Sequence, residues 1–252
     1  MNFPYQRFCQ ARLISHISTS VLVLLFLGLA TAMPLSAIAG AFSVSPVRIY
    51  MLPRDRAIAV TVVNEGDTEV VLQADLNAWT QQPDGTDELV PTDDLILSPP
   101  VIRLAPNTRQ VVRLALLKPA DVSRQLIYRM IMREVPEAVS VRDRTVQLPV
   151  ALALSMPVFI TPPPAKRSMD CVAAPNLTVK CANSGTAYAQ VRGILLKRGT
   201  LTLARFEGGT YILPGAQKVI NLKGEPGATP GAASMSVSFD DGTSQVFEVT
   251  LP

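Results

Sequence analysis

Histidine is almost missing from this chain. The 252 residues contain one, His16, and it lies within the N-terminal leader. Past the leader there can be no Ser-His-Asp or Cys-His nucleophile pair, no His-ligated zinc and no imidazole acid or base, which excludes most hydrolase and metal chemistries. Charge of one sign is missing too. Lys+Arg number 23 against 20 Asp+Glu, a net charge of +3, far too little for a protein that grips nucleic acid electrostatically. Cysteine is scarce, with Cys9 in the leader and only Cys171 and Cys181 beyond it. No Cys-x-x-Cys redox pair and no glycine loop that could cradle a phosphate is present. No cofactor and no metal site is expected.

What is present begins with a leader. Its first 39 residues carry Arg7 and Arg12, no acid, an apolar run over 21–30 and the small-residue site Ala37-Ile38-Ala39. That is the layout of a secretory signal peptide, residues 1–39, removed after Ala39. The stretch 21–40 is long enough to span a bilayer, but Pro34 and the Ala-x-Ala site favour cleavage, so no lasting membrane insertion is expected. The remaining 213 residues hold 21 basic and 20 acidic side chains and are nearly neutral. Export to an oxidising compartment makes Cys171 and Cys181 a structural disulfide.

Strand signals dominate the exported part. Segments 42–50, 57–64, 69–79, 110–117, 126–135 and 145–160 are short, β-branched or alternating, and are separated by turn residues such as Asn64-Glu65-Gly66-Asp67 and Pro83-Asp84-Gly85. The run Thr161-Pro162-Pro163-Pro164-Ala165-Lys166-Arg167 can join neither a ladder nor a helix and reads as a linker. It divides the chain into residues 40–161 and 162–252, each the size of one immunoglobulin-like sandwich. In the second part, 177–182, 189–197, 217–222, 233–239 and 245–251 read as strands. The expected fold is all-β: two immunoglobulin-like β-sandwich domains behind a signal peptide.

The segment 145–159 is the most informative. Val146, Leu148, Val150, Leu152, Leu154 and Met156 occupy every second position, which in a strand places them on one face. Such a ridge is ordinarily core. Pro149 and Pro157 argue instead for an edge strand, and an edge strand with an apolar ridge is what β-augmentation of another chain requires. On that reading the ridge stands at the surface of the free protein, where self-association is an alternative way to cover it.

Val47-Arg48-Ile49-Tyr50, the segments Leu97-Ser98-Pro99-Pro100-Val101-Ile102-Arg103-Leu104-Ala105-Pro106 and Gln110-Val111-Val112-Arg113-Leu114, and Tyr128-Arg129-Met130-Ile131-Met132-Arg133-Glu134-Val135-Pro136 together resemble the periplasmic pilus-assembly chaperones of the chaperone–usher pathway, the PapD-like family. The ending Leu154-Ser155-Met156-Pro157-Val158-Phe159 resembles the archaic clade. The resemblance implies two immunoglobulin-like domains set at an angle, a periplasmic location, and no enzymatic chemistry. It implies a protein that lends its last first-domain strand to an incomplete pilin sandwich, then delivers the subunit to an outer-membrane usher. By that resemblance, Val146 to Met156 in alternation form the donor strand, and Arg48 is the cation that holds the pilin's C-terminal carboxylate, a task suited to a planar guanidinium. The chain departs from the family twice. The usual second cleft cation, a lysine, falls on Pro157, and the interdomain ion-pair arginine falls on Thr161. Arg129, on the neighbouring strand, is the expected substitute for the first, and Lys166 or Arg167, with Glu134 and Asp240 or Asp241 as the acids that remain, for the second.

Two other readings carry different expectations. An exported pilin or adhesin would also be sandwich-like, but would not need two domains and a long last strand. A carboxylate-only glycosidase would need acidic pairs converging in a cleft. The cluster Asp87, Glu88, Asp93 and Asp94 reads as solvated surface, and Trp79, the single tryptophan, as packing and not a sugar platform.

Overall fold

The computed structural model describes residues 42–119, 121, 123–135, 151–224 and 229–252, and among these there are strands and turns but no helix. Ten strands come from the part before the linker: β1 (Phe42–Ser45), β2 (Ile49–Met51), β3 (Ala57–Asn64), β4 (Val70–Gln81), β5 (Asp87–Pro91), β6 (Leu95–Ser98), β7 (Val101–Leu104), β8 (Arg109–Leu116), β9 (Leu126–Glu134) and β10 (Ala153–Ile160). They form a four-stranded sheet, β1-β3-β8-β6, and a six-stranded sheet, β2-β10-β9-β4-β5, with β7 also on β4. Alternate residues of both sheets, among them Val60, Val62, Leu72, Val112, Leu114, Met130 and Val158, are fully buried in one core. This alternation of apolar-in and polar-out is the pattern of a sandwich closed over a single apolar layer.

Eight strands follow the linker: β11 (Met169–Ala174), β12 (Thr178–Asn183), β13 (Ala189–Arg198), β14 (Leu201–Ile212), β15 (Gln217–Asn221), β16 (Lys223–Gly224), β17 (Gly231–Phe239) and β18 (Ser244–Leu251). They make a three-stranded sheet, β11-β12-β15, and a five-stranded sheet, β16-β14-β13-β17-β18, around a second core. Cys171 and Cys181 are directly opposite on β11 and β12 and form a buried disulfide.

The expected strand 57–64 is β3 to the residue, and most others shift by one or two positions at an end. The expected strand 42–50 is instead two strands in two sheets. Pro46 cannot donate to a ladder, so the chain leaves the first sheet at Ser45 and joins the second at Ile49. The longest strand not expected is β14, where Gly208-Gly209 dilutes the β-forming pattern.

Each sandwich is pinned by the same local device. Asn64 ends β3 fully buried; its Nδ2 donates to the carbonyls of Thr68, Leu104 and Ala105, and its Oδ1 accepts from Gly66 N. Asn183 ends β12, donates to the carbonyls of Ala187 and Ile212, and accepts from Gly185 N and Ser168 N. In both, an Asn-x-Gly turn satisfies backbone groups that the strand ends leave buried.

A third apolar cluster joins the two sandwiches: Trp79 and Phe159 from the six-stranded sheet, Leu213 from the second sandwich, and Ile127, Tyr188 and Tyr211 around them. Phe159 stacks on Tyr188 with ring centroids 4.0 Å apart. Two glutamines bracket this cluster. Gln81 donates to Tyr211 O and accepts from Leu213 N, while Gln125 donates to Thr161 Oγ1 and accepts from Tyr188 N. Gln81 thus uses both its donor and its acceptor across the junction, and Gln125 its acceptor, its donor being spent on Thr161 at the end of the first sandwich.

Candidate functional site

Strand β10 is paired unequally. Its whole length, 153–160, lies antiparallel to β9, but on its other side β2 pairs only with 158–160, in parallel. Among the described residues, 153–156 is therefore an open sheet edge. Peptide groups point alternately to the two sides of a strand. Leu152 O accepts from Glu134 N on the β9 side, and Thr161 N donates to Met51 O on the β2 side. The odd residues consequently face that side: the N–H groups and carbonyls of Ala153 and Ser155 are the open ones, while the Pro157 carbonyl begins the ladder to β2. This parity explains how Pro157 sits inside a strand, because the N–H it lacks would have pointed outward and not into the β9 ladder.

The side-chain faces follow the same parity. Ile160, Val158 and Met156 are buried in the first core, and Leu154 and Leu152 are half-buried against it. Val146, Leu148 and Val150 lie outside the described residues. The ridge expected at the surface thus grades inward: Met156, at 3% exposure, is a core residue, because β2 and the opposite sheet close over this end of β10. On the other face Ala153 and Ser155 are exposed, while Phe159 is covered by the second sandwich.

The cations lie where the edge ends. The register sets Pro157 opposite Arg129 on β9, and Arg129 opposite Asn77 on β4. Continuing the β2 register back by one residue sets Arg48 beside Pro157. Arg48 and Arg129 thus flank the neutral proline in one row, on the face turned to the second sandwich. Arg48 Nη1 is 3.0 Å from Asp240 Oδ2, with the two side chains 32% and 10% exposed. The same oxygen accepts from Tyr188 Oη at 2.8 Å, and the Tyr188 and Tyr50 hydroxyls are 2.9 Å apart. A hydrogen bond to Tyr50, then the fields of Tyr211, Tyr50 and Asp240, hold the Arg48 pKa above its ordinary value against partial burial. Burial, followed by the Tyr50 and Asp240 contacts, pushes the Tyr188 hydroxyl up, so it stays protonated and donates.

Arg129 is placed differently. Its guanidinium carbon lies 3.7 Å from the Trp79 ring centroid and 5.5 Å from that of Tyr211. Among the described residues it has no carboxylate within ion-pair distance, and burial lowers its pKa. Trp79 is therefore packing, as expected, but packing that carries a cation on its face.

The inter-sandwich ion pair left open by Thr161 is Arg48–Asp240. Arg167 pairs instead with Asp241, at 2.7 Å, while stacked on Phe239. Of the acidic cluster, Asp94 is not free surface: it binds Lys118 at 2.5 Å and accepts from the Tyr128 hydroxyl. Sequence reasoning missed Tyr50, Tyr188 and Tyr211, whose spread over two sandwiches leaves no local spacing to read.

The family model for the pili and flagellar-assembly chaperones, PapD N-terminal domain, matches residues 41–166, half of the chain, and the chain belongs to that family. Solved structures of the same fold extend the likeness through both sandwiches. A chain of the CsuC–CsuE chaperone–tip adhesion subunit pre-assembly complex from archaic chaperone–usher Csu pili of Acinetobacter baumannii is 18% identical, with TM-score 0.62, covering 84% of this chain and 100% of that one. The E. coli chaperone DraB is 17% identical, with TM-score 0.57, covering 84% and 96%. A chain of the Salmonella enterica SafA pilin–SafB chaperone complex is 18% identical, with TM-score 0.57, covering 83% and 96%. No curated protein matches the chain. Among the described residues, no helix is long and apolar enough to cross a membrane.

Proposed function

We propose that this protein is a periplasmic chaperone that captures pilin subunits by lending them strand β10 and passes them to an outer-membrane usher. The observation that carries this reading is the continuity of a strand edge that is open among the described residues, 153–156, with a row of two arginines. A partner strand lying along that edge must stop where β2 begins. Running parallel to β10, as β2 does, it brings its C-terminus to Arg48 and Arg129; running antiparallel, it would bring an N-terminal ammonium to the same cations. Coulombic repulsion disfavours the second arrangement and attraction selects the first. The edge supplies main-chain bonds without sequence preference. The half-buried Leu152 and Leu154, continued by Val150, Leu148 and Val146, supply apolar side chains for the partner's incomplete core.

The test is a single substitution on the open side. Ser155→Pro removes an N–H that has no ladder partner in the free protein but would face the pilin strand. Co-expression with its pilin should give folded chaperone with little or no co-purified subunit. Undiminished co-purification by the Ser155→Pro protein would contradict strand donation along this edge.

A further inference from the structure

The β4–β5 hairpin reaches out of the first sandwich and ends against the second. Its own bonds give the tip one shape: Gln82 N donates to Thr86 O, Gly85 N to Gln82 O, and Thr86 N to the Asp84 carboxylate. Gln82, Pro83, Asp84 and Thr86 are exposed, yet Gly85 among them is buried. What buries it is β15. A Cβ placed on Gly85 would stand 2.3 Å from Lys218 Cγ and 2.5 Å from Gln217 O, and the φ of +84° there already favours glycine. The lysine stem could swing away, but the Gln217 carbonyl belongs to a strand held in the β12–β15 ladder. Beside this contact Gln217 N donates to Pro83 O, and at the base of the tip Gln81 donates to Tyr211 O and accepts from Leu213 N.

The place of this contact in the sheet gives it leverage. The six-stranded sheet runs β2-β10-β9-β4-β5, and the linker leaves from β10. Near the linker the second sandwich is fastened by Arg48–Asp240, by the Tyr50 and Tyr188 hydroxyls, and by Lys166 O, which accepts from Thr186 N and Ala187 N. Fastenings on one side leave a rocking motion about the linker. The hairpin lies three strand spacings from β10, roughly 14 Å at about 4.8 Å each, where small forces resist rocking best.

We propose that the β4–β5 hairpin is a clasp that sets the orientation of the second sandwich, with Gly85 and Gln81 as its positioning residues, and that capture of a subunit depends on that orientation. The dependence of capture rests on the chaperone reading above and deepens it. On one face of β10, Phe159 is covered by the second sandwich while Ala153 and Ser155 are exposed, so the orientation of that sandwich fixes how far along β10 a partner can lie. A chain that holds the docked orientation only about one-tenth of the time binds its partner about tenfold more weakly.

Two variants disengage the clasp by different means. Gly85→Val drives the tip off β15, since moving from 2.5 Å to an ordinary contact of 3.4 Å takes a shift of about 1 Å. Replacing Pro83-Asp84-Gly85 by Asn-Gly keeps Gln82 opposite Thr86 in a tight hairpin and withdraws the Pro83 carbonyl. Orientation is read on the mature protein by amide residual dipolar couplings and by acrylamide quenching of Trp79, the single tryptophan, which packs edge-on against Tyr211 of the second sandwich with centroids 5.2 Å apart. In the wild type one alignment should fit both sandwiches. In either variant each sandwich should still fit an alignment of its own, but no single alignment should fit the two, and Trp79 should be quenched more readily. Pilin co-purified on co-expression should fall at least about threefold. If one alignment still fits both sandwiches in both variants, the apolar cluster and the linker hold the orientation by themselves and the clasp is refuted. If the sandwiches rock but pilin is captured at wild-type yield, orientation does not govern capture and that half of the proposal falls. A wild type that captures no pilin removes the chaperone reading, and the dependence of capture with it, while the couplings still decide the clasp.

Discussion

Substituting along the ridge of β10 should separate folding from capture, and the structure sets where the two part. Met156 is 3% exposed within the first core, with Val158 and Ile160 fully buried beyond it. Leu152 is half-buried at the open end of the same face. Fully burying a side chain of this size stabilises by about 1.5–3 kcal/mol, and truncation in a core costs about 2–5 kcal/mol once the cavity is included. Met156→Ala should therefore lower the melting temperature by roughly 5–15 °C, taking about 2–4 °C per kcal/mol for a chain of this size. Leu152→Ala forfeits about half of a full burial, roughly 1 kcal/mol, and should cost only a few degrees. Pilin co-purification should rank differently. Leu152→Ala, mild for the fold, should reduce capture strongly, and Leu152→Asp should abolish it, because a carboxylate would have to be desolvated in the partner's core. Melting temperature and co-purified pilin are read on the same preparations. If Leu152→Asp unfolds the first sandwich as completely as Met156→Asp, the ridge is core along its whole described length and the reasoning fails.

Other expectations follow from the packing. Reducing the Cys171–Cys181 disulfide, which closes a loop over a sequence separation of 10, should destabilise the second sandwich by about 2–3 kcal/mol, and thiol titration of the native protein should find neither Cys171 nor Cys181 free. Asn183→Ala frees two buried carbonyls and should cost about 2–3 kcal/mol, visible in denaturant melts; an unchanged midpoint would show that water replaces the amide. Hydrogen bonds from Arg167 and then Thr243 hold the Asp241 carboxyl down to about 2. A depressed folded-state pKa contributes stability that is present above about pH 4, the unfolded value, and lost as pH falls towards 2. The pair is partly exposed and screened, so Asp241→Asn should shift melting only slightly at pH 7 and flatten the melting curve between pH 4 and pH 2.

Much of the fold was legible because the sandwich pattern is local. Apolar alternation marks β3, β8, β9, β12, β13, β17 and β18 within a residue or two, and the proline-rich run 161–167 falls between the last strand of one pair of sheets and the first of the next. Pro46 was equally visible, but the move from one sheet to the other that it forces is a tertiary event and was not. The site was legible in part for a similar reason. Arg48 was picked out by resemblance and Arg129 by strand adjacency, and the register sets both beside Pro157. That Arg48 meets Asp240 depends on how two sandwiches separated by the linker pack, which no spacing along the chain encodes. The same holds for Tyr188 and Tyr211, distant in sequence from the Trp79 and Phe159 they cover.

The central claim, that the open side of β10 is what a pilin subunit occupies, is tested most directly by amide hydrogen exchange at Ala153 and Ser155. In the free protein both N–H groups face the open edge and should exchange quickly, while those of Leu154 and Met156, turned to β9, should be protected. In the purified chaperone–pilin complex, Ala153 and Ser155 should become as protected as their neighbours. A stable complex in which these two amides still exchange at the free-protein rate would contradict strand donation, whatever else holds the partners together.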